Sequence, residues 1–586
     1  MKAIYLSAIL LSAASASVAQ TLSKEIVIEK DIAPKQNDAK RREISPSISL
    51  PAVKNRPLTV SEGASSTEVP SWVTTLEPAQ ADNAIGNSPY RGYVSAGYFP
   101  HPIAGLSAGY RAISTDATAL DIFGQFTFNR YKRDNSIGNS VAVRHSALTL
   151  GTLLRQRVGS GSMLGLDLDW TLHNFNNPTL IDNGANQRAN NVNLSLNWDS
   201  RAGIFDYKAR VGYGYFGFAN TQEARYSHVR NSDNLKALNE NRLNILLGAS
   251  TAGSEVSTVG IDAEAQFAIY NSDALMFISS DPATSPALTP DDGFTRGFIG
   301  VNPYYSYNGG KVDARIGLKA SFSIHSGKVV HISPDINISW RPATILGIWA
   351  KATGGEQLNS LTTLFNDMPY LSAVMAPAHN SDIAYDISGG FNIGPCRGFT
   401  GKLYGGYASA KDWMMPVGAA HGANGDLYHR FERVDMKGWH FGVSAAYDYK
   451  GIVGAEVAFE MAPSSYDQGY YPWRDRAKRV LSASINCRPI RPLSVEVGYR
   501  LRSGRSSYEL VPATVLASMS AYYPEAVPVR HSLGNISDLS VDAAYDITRR
   551  LSVFCNINNI LGGDWQEYYG ITTAPINGLI GVGYKF

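Results

Sequence analysis

His421, His429 and His440, with Asp426, Glu432 and Asp435 among them, form the densest set of potential metal ligands and proton carriers in the chain. A metal site wants two ligands facing one way, at i,i+2 on a strand or i,i+4 on a helix. The steps of 8 (421 to 429) and 11 (429 to 440) give neither, so these read as structural or solvated histidines. Asp167, Asp169 and Asp199 have the chemistry for acid–base work. Their alternation with leucines instead makes them the wetted face of a strand. Cys396, Cys487 and Cys555 are too few for a disulfide framework. Cys487 and Cys555 fall three predicted strands apart, roughly 14 Å at ~4.8 Å per strand, beyond disulfide reach. No Ser/His/Asp set stands out. The residues therefore name no catalytic site, no metal site and no cofactor.

The elements carrying these residues have two unlike faces. In 163–173, Leu164, Leu166, Leu168, Trp170 and Leu172 oppose Gly165, Asp167, Asp169, Thr171 and His173. In 191–199, Val192, Leu194, Leu196 and Trp198 oppose Asn193, Ser195, Asn197 and Asp199. In 493–502, Val495 and Val497 oppose Glu496 and Arg500, and in 539–547 Val541 opposes Asp542. A period of two marks β-strands. Runs of about 9–11 residues match a tilted transmembrane strand, whereas soluble strands average about 5–6. Leu164, Leu168, Val192, Leu196, Val495 and Val541 are then expected to face lipid. Asp167, Asp169, Asn193, Asn197, Glu496, Arg500 and Asp542 are expected to face a water-filled lumen, where polar residues are the default.

Composition agrees. Charged residues are 17% of the 586, against about 25% in soluble proteins, and 32 residues are Tyr. After residue 20 no apolar run reaches the ~18 residues of a membrane helix. A net charge of +2 carries no nucleic-acid footprint. Residues 1–19 read as a cleaved secretory signal: Lys2, an apolar stretch 4–11, then Ser17-Val18-Ala19. Short connections, such as Tyr449–Gly451 and Thr548–Arg550, mostly alternate with longer polar stretches at 218–240, 272–293, 355–379, 413–435, 463–477, 503–529 and 562–575. Short turns on one side and long loops on the other mark an outer-membrane barrel. The expected fold is all-β, a transmembrane antiparallel barrel over 90–586 with about 22 strands (range 18–22).

The last residues carry a family resemblance. Asn558-Asn559-Ile560-Leu561-Gly562, then Tyr568-Tyr569-Gly570, then Gly581-Val582-Gly583-Tyr584-Lys585-Phe586 resemble the closing hairpin of TonB-dependent receptor barrels. The resemblance implies the same strand count and a place in the outer membrane of a Gram-negative bacterium. It departs from the family at the N-terminus. Residues 20–89 are too short and too rich in proline for the family's plug domain, and read as a periplasmic extended or disordered tether. Glu25, Ile26, Val27, Ile28 and Glu29 resemble a coupling box in position and character, a strand that would dock on TonB or on another periplasmic or outer-membrane protein. The expected function is solute uptake or binding across the outer membrane. The alternative is a structural or assembly subunit of an outer-membrane protein complex.

Tyr584 and Phe586 end the alternating apolar face and read as the insertion signal, with barrel assembly machinery and outer-membrane lipid as partners. An unpaired last strand seeks an edge, which the machinery can offer by strand addition. Deleting Phe586 should lower the amount of surface-exposed protein in cells more than it lowers the melting temperature of the inserted barrel in detergent. Normal insertion of the truncated chain would remove the terminal residue as the signal.

Overall fold

The computed structural model describes residues 90–586 apart from 101–102, 135–139, 160, 177–185, 220–238, 252–255, 272–294, 326–327, 372–378, 422–426, 463–464, 467–476 and 512–526. Its strands form one antiparallel wall of 22 that closes on itself. Each strand of the wall pairs with its neighbours in chain order. The first, Gly92–Phe99, meets the last, Asn577–Lys585, with Tyr93 opposite Lys585 and Tyr98 opposite Ile580. Among the described residues five short strands stand outside the ring: Ser465–Tyr466, Arg505–Val511, Val527–Leu533, and the pair Gln566–Tyr568 and Ile571–Thr572. No helix among the described residues is long and apolar enough to cross a membrane.

The pleat sorts the side chains. On one face of Ser162–Asn176 and Asn186–Ala202, Leu166 lies opposite Leu196 and Leu168 opposite Leu194. Leu168, Leu194, Leu196 and Trp198 are exposed on the outside, as are Ile316, Leu318, Val457, Ile485 and Val582 around the ring. An apolar surface this extensive is stable only in an apolar solvent, and a closed barrel is one of the two structures whose backbone can cross one. On the inner face Asp167 takes hydrogen bonds from Ser195 Oγ at 3.3 Å and Asn197 Nδ2 at 3.1 Å.

Turns at the inner rim are tight. At Tyr449–Ile452, Lys450 and Gly451 both have positive φ (56° and 67°), and Ile452 N–H donates to Tyr449 O at 2.9 Å. Two positive φ values in a two-residue loop make a type I′ hairpin turn, for which a glycine is favoured. At the seam Phe586 lies beside Gly92. A Cβ on Gly92 would stand 2.5 Å from Phe586 Cζ, so the ring occupies space only glycine leaves.

Two expectations about connections are corrected. Stretch 413–435 is largely strand, and the described ends of 503–529 pair as strands. Phe399–His421 and Leu427–Tyr449 run 23 residues each, and Arg505–Val511 pairs with Val527–Leu533. Above the bilayer both strand faces meet water or other polar groups, so backbone pairing continues where apolar alternation stops. The connection between Ile324 and Val330 is short although it lies at the outer rim, the end of the longer connections, as its spacing implied.

An Arg on the lipid side near mid-membrane costs about 2–4 kcal/mol. Leu166→Arg should therefore lose that much in folding titrations, and Asp167→Arg clearly less. Equal losses would reverse the two faces.

Candidate functional site

The connection after Leu346–Gln357 turns into the barrel rather than away from it. Ser360 caps the helix Leu361–Asp367 by accepting from Thr363 N–H at 3.1 Å. Leu361, Leu364, Phe365 and Met368 recur at i, i+3, i+4 and i+7, one helical stripe. With Leu371 they are wholly buried against Phe175, Ala189, Phe216, Phe218, Ala268 and Tyr270 of the wall and against Met414 and Phe431. Phe365 centres an aromatic cluster, 5.2 Å from Phe216, 5.4 Å from Phe175 and 5.0 Å from His173 between ring centroids. A seven-residue helix is not stable alone in water. Burial of these side chains, roughly 1.5–3 kcal/mol each, holds it in the lumen.

Polar contacts fix its register. Glu240, fully buried, accepts the Leu361 N–H at 2.8 Å and lies 3.4 Å from Arg242 Nε. Arg242 donates to Ser360 Oγ at 3.3 Å and to Asn193 Oδ1 at 2.9 Å, and Asn193 donates to Asp169 Oδ2 at 2.9 Å. Asp169 and Asn193 thus belong to the helix seat, while Asp167 and Asn197 pair with each other further down the same strands. Glu496, Arg500 and Asp542 lie on another part of the wall, where Glu496 faces Asp542 in register and Asn556 Nδ2 donates to Asp542. Glu25–Glu29 lies outside the described residues. Glu240 and Arg242 were not singled out in the sequence, because a strand residue there gives no sign of an inward loop facing it.

A second inward segment comes from the last hairpin. Asn559, at φ 52°, ties its own loop: its Nδ2 donates to Gly563 O at 3.0 Å and Ala574 O at 3.2 Å, and its Oδ1 accepts Gly563 N–H at 3.0 Å. This gives the Asn corner of the sequence a physical role. Arg505 donates to the carbonyls of Gln566 and Glu567, Arg502 pairs with Glu567 at 3.1 Å, and Arg133 donates to Thr573 O at 2.8 Å. Tyr568 OH donates to Asp367 O, joining the two inward segments. His429 Nε2 donates to Tyr569 O at 2.9 Å, joining the Leu427–Tyr449 arm to both. Three segments thus meet across the outer half of the lumen.

The histidines do not converge. His429 has the contact just given, and His440 Nε2 lies 2.9 Å from Asp386 Oδ1; the His421 and Asp426 side chains lie outside the described residues. Cys487 and Cys555 are free thiols, separated in register by Val495 and Ala543. One arrangement missed in the sequence has the members of a nucleophilic triad. His331 Nδ1 lies 2.9 Å from Asp382 Oδ2, and Nε2 lies 3.1 Å from Ser323 Oγ. Its protons are wrongly placed for attack. Asn380 Nδ2 donates to Glu356 Oε1 at 2.6 Å, which marks that oxygen as an acceptor, and Ser323 donates its one proton there at 2.5 Å. Ser323 therefore directs its one proton to Glu356 and not to His331, which is not the arrangement in which a histidine activates a hydroxyl. The group staples the root of the inward loop, where Asn359 Nδ2 also donates to His379 O at 2.6 Å.

No family model matches the chain, and no curated protein matches it. Solved structures do. The FrpB iron transporter from Neisseria meningitidis superposes with a TM-score of 0.60 at 13% identity, over 85% of this chain and 81% of that one. A variant of the ferric enterobactin receptor PfeA from Pseudomonas aeruginosa gives 0.59 at 10%, over 85% and 80%. The siderophore receptor PirA from Acinetobacter baumannii gives 0.60 at 11%, over 85% and 80%. At such identities the likeness establishes the fold, a closed barrel of 22 strands of the TonB-dependent receptor type, in which no folded plug domain is found among the described residues.

Proposed function

We propose that the chain is an outer-membrane barrel of a Gram-negative bacterium that binds or takes up a solute, with its lumen stopped by its own outer-rim segments. The observation that carries this reading is the helix Leu361–Asp367 seated inside a wall wide enough to need a stopper. The fold is shared with proteins named as an iron transporter and siderophore receptors, which favours uptake over other roles. In this reading residues 1–19 are removed on export and the outer rim is extracellular. Residues 20–89 hang in the periplasm, where Glu25–Glu29 pairs with TonB or a similar partner by strand addition. Barrel assembly machinery inserts the chain through the Tyr584–Phe586 end.

The second reading, a structural or assembly subunit, draws on the same seat. Ties from Glu240, Arg242, Arg505 and Tyr568 would also suit a barrel that never opens.

Bilayer conductance separates them. At pH 7.5 the intact chain should be closed, with brief openings, and the chain with 358–380 replaced by a short Gly/Ser turn should form a steady wide pore. A permanently open intact chain, or a replaced chain that stays sealed, would overturn the loop closure. An intact chain that never opens, even with the TonB periplasmic domain bound to its N-terminus, would favour the structural reading.

A further inference from the structure

His429 sits where the three segments that close the lumen meet. Its backbone makes a bridge to Leu371, next to the helix, and its Nε2–H reaches Tyr569 O of the last hairpin. Its own strand, Leu427–Tyr449, needs only about 9–11 residues from Tyr449 to cross the membrane, so His429 lies well above the bilayer. The ring is fully buried, and Nδ1 has no hydrogen-bond partner. A neutral imidazole fits this place. A second proton would put a buried charge and an unmet donor at a point where all three segments meet. We propose that His429 is an acid sensor, whose protonation releases the stopper from the lumen. This rests on the reading of these segments as a removable closure.

Burial holds the His429 ring down to about 4, from an ordinary 6.5. A lowered value in the closed form means that closure has its full strength above 6.5 and weakens as the pH falls towards 4. No neighbouring charge sets this value. The described ionisable groups around this point include Asp367 at the helix end, Glu567 held by Arg502, Asp564 at 3.8 Å from Arg133, Arg505 on the backbone of 566–567, and His531 stacked on Tyr569 at 4.1 Å. Arg433, on the arm itself, reaches Asp412 at 3.6 Å. At the loop root, burial and then the neighbouring Arg296 hold His379 to about 3, and it acts in the same direction. Glu240, buried at the helix start, acts oppositely, because acid relieves the burial of its charge. A substitution at position 429 leaves His379 and Glu240 in place, so comparison with the intact chain isolates the sensor.

The test is single-channel recording of the full chain and of His429→Gln between pH 7.5 and 5. Gln keeps an amide donor for Tyr569 O but cannot titrate. The open-to-closed ratio of the intact chain should rise about 30-fold more than that of the variant, the factor that a shift from 6.5 to about 4 implies. Equal pH responses in the two chains would overturn the proposal. Should the variant fail to fold, NMR titration of labelled histidine in the intact chain decides. A ring that titrates near 4 and moves towards 6.5 when 358–380 is replaced supports the sensor, and one that titrates near 6.5 in both chains refutes it. The replaced chain at pH 7.5 tests the closure separately, so failure of the closure and failure of the histidine are told apart.

Discussion

In hydrocarbon a backbone N–H has no water to turn to, so every strand needs a partner on both sides and the sheet must close. That constraint governs this molecule. The seam between Gly92–Phe99 and Asn577–Lys585 leaves no free edge in the wall, with Arg91 and Gly92 N–H both donating to Phe586 O at 2.8 and 2.9 Å. Closure with 22 strands has a cost of its own. The diameter grows with strand number, and the interior becomes too wide for wall side chains to fill.

The chain meets that second problem with material from its outer rim. The helix Leu361–Asp367 brings an apolar stripe to a patch of inward-facing Phe216, Phe175 and Tyr270. Such residues would be out of place on a wetted wall and are explained by what covers them. Around this apolar centre lies a polar border of Glu240, Arg242, Asn193 and Asp169. The combination resembles a small protein core, with one side contributed by the wall and the other by a loop.

The wall was readable in the sequence because a membrane imposes one rule on every strand. Leu166 and Leu168 alternate with Asp167 and Asp169 wherever one face meets lipid and the other water. The stopper was harder to read. Leu361, Leu364, Phe365 and Met368 do carry a helical period inside 355–379, but a stripe of four does not say which surface receives it. Its receivers, Phe175, Phe216 and Tyr270, come from three different strands and become neighbours only through curvature of the wall. Arms 413–421 and 427–435 read as loops in the sequence because strands in water need not alternate. The Asn558–Gly562 corner was recognisable by likeness, but its reason, one amide side chain tying three backbone groups, needed coordinates.

The order of these elements along the chain has a consequence for assembly. The segment that clips Asp367 through Tyr568 and receives His429 at Tyr569 belongs to the last hairpin. The same hairpin supplies the strand that completes the wall. Until it arrives, the sheet is an open ribbon whose hollow is not yet enclosed. When it arrives, its strand zips the ribbon into a ring and its loop reaches the waiting helix. Completing the ring and clipping the inward helix thus fall to neighbouring residues of one hairpin.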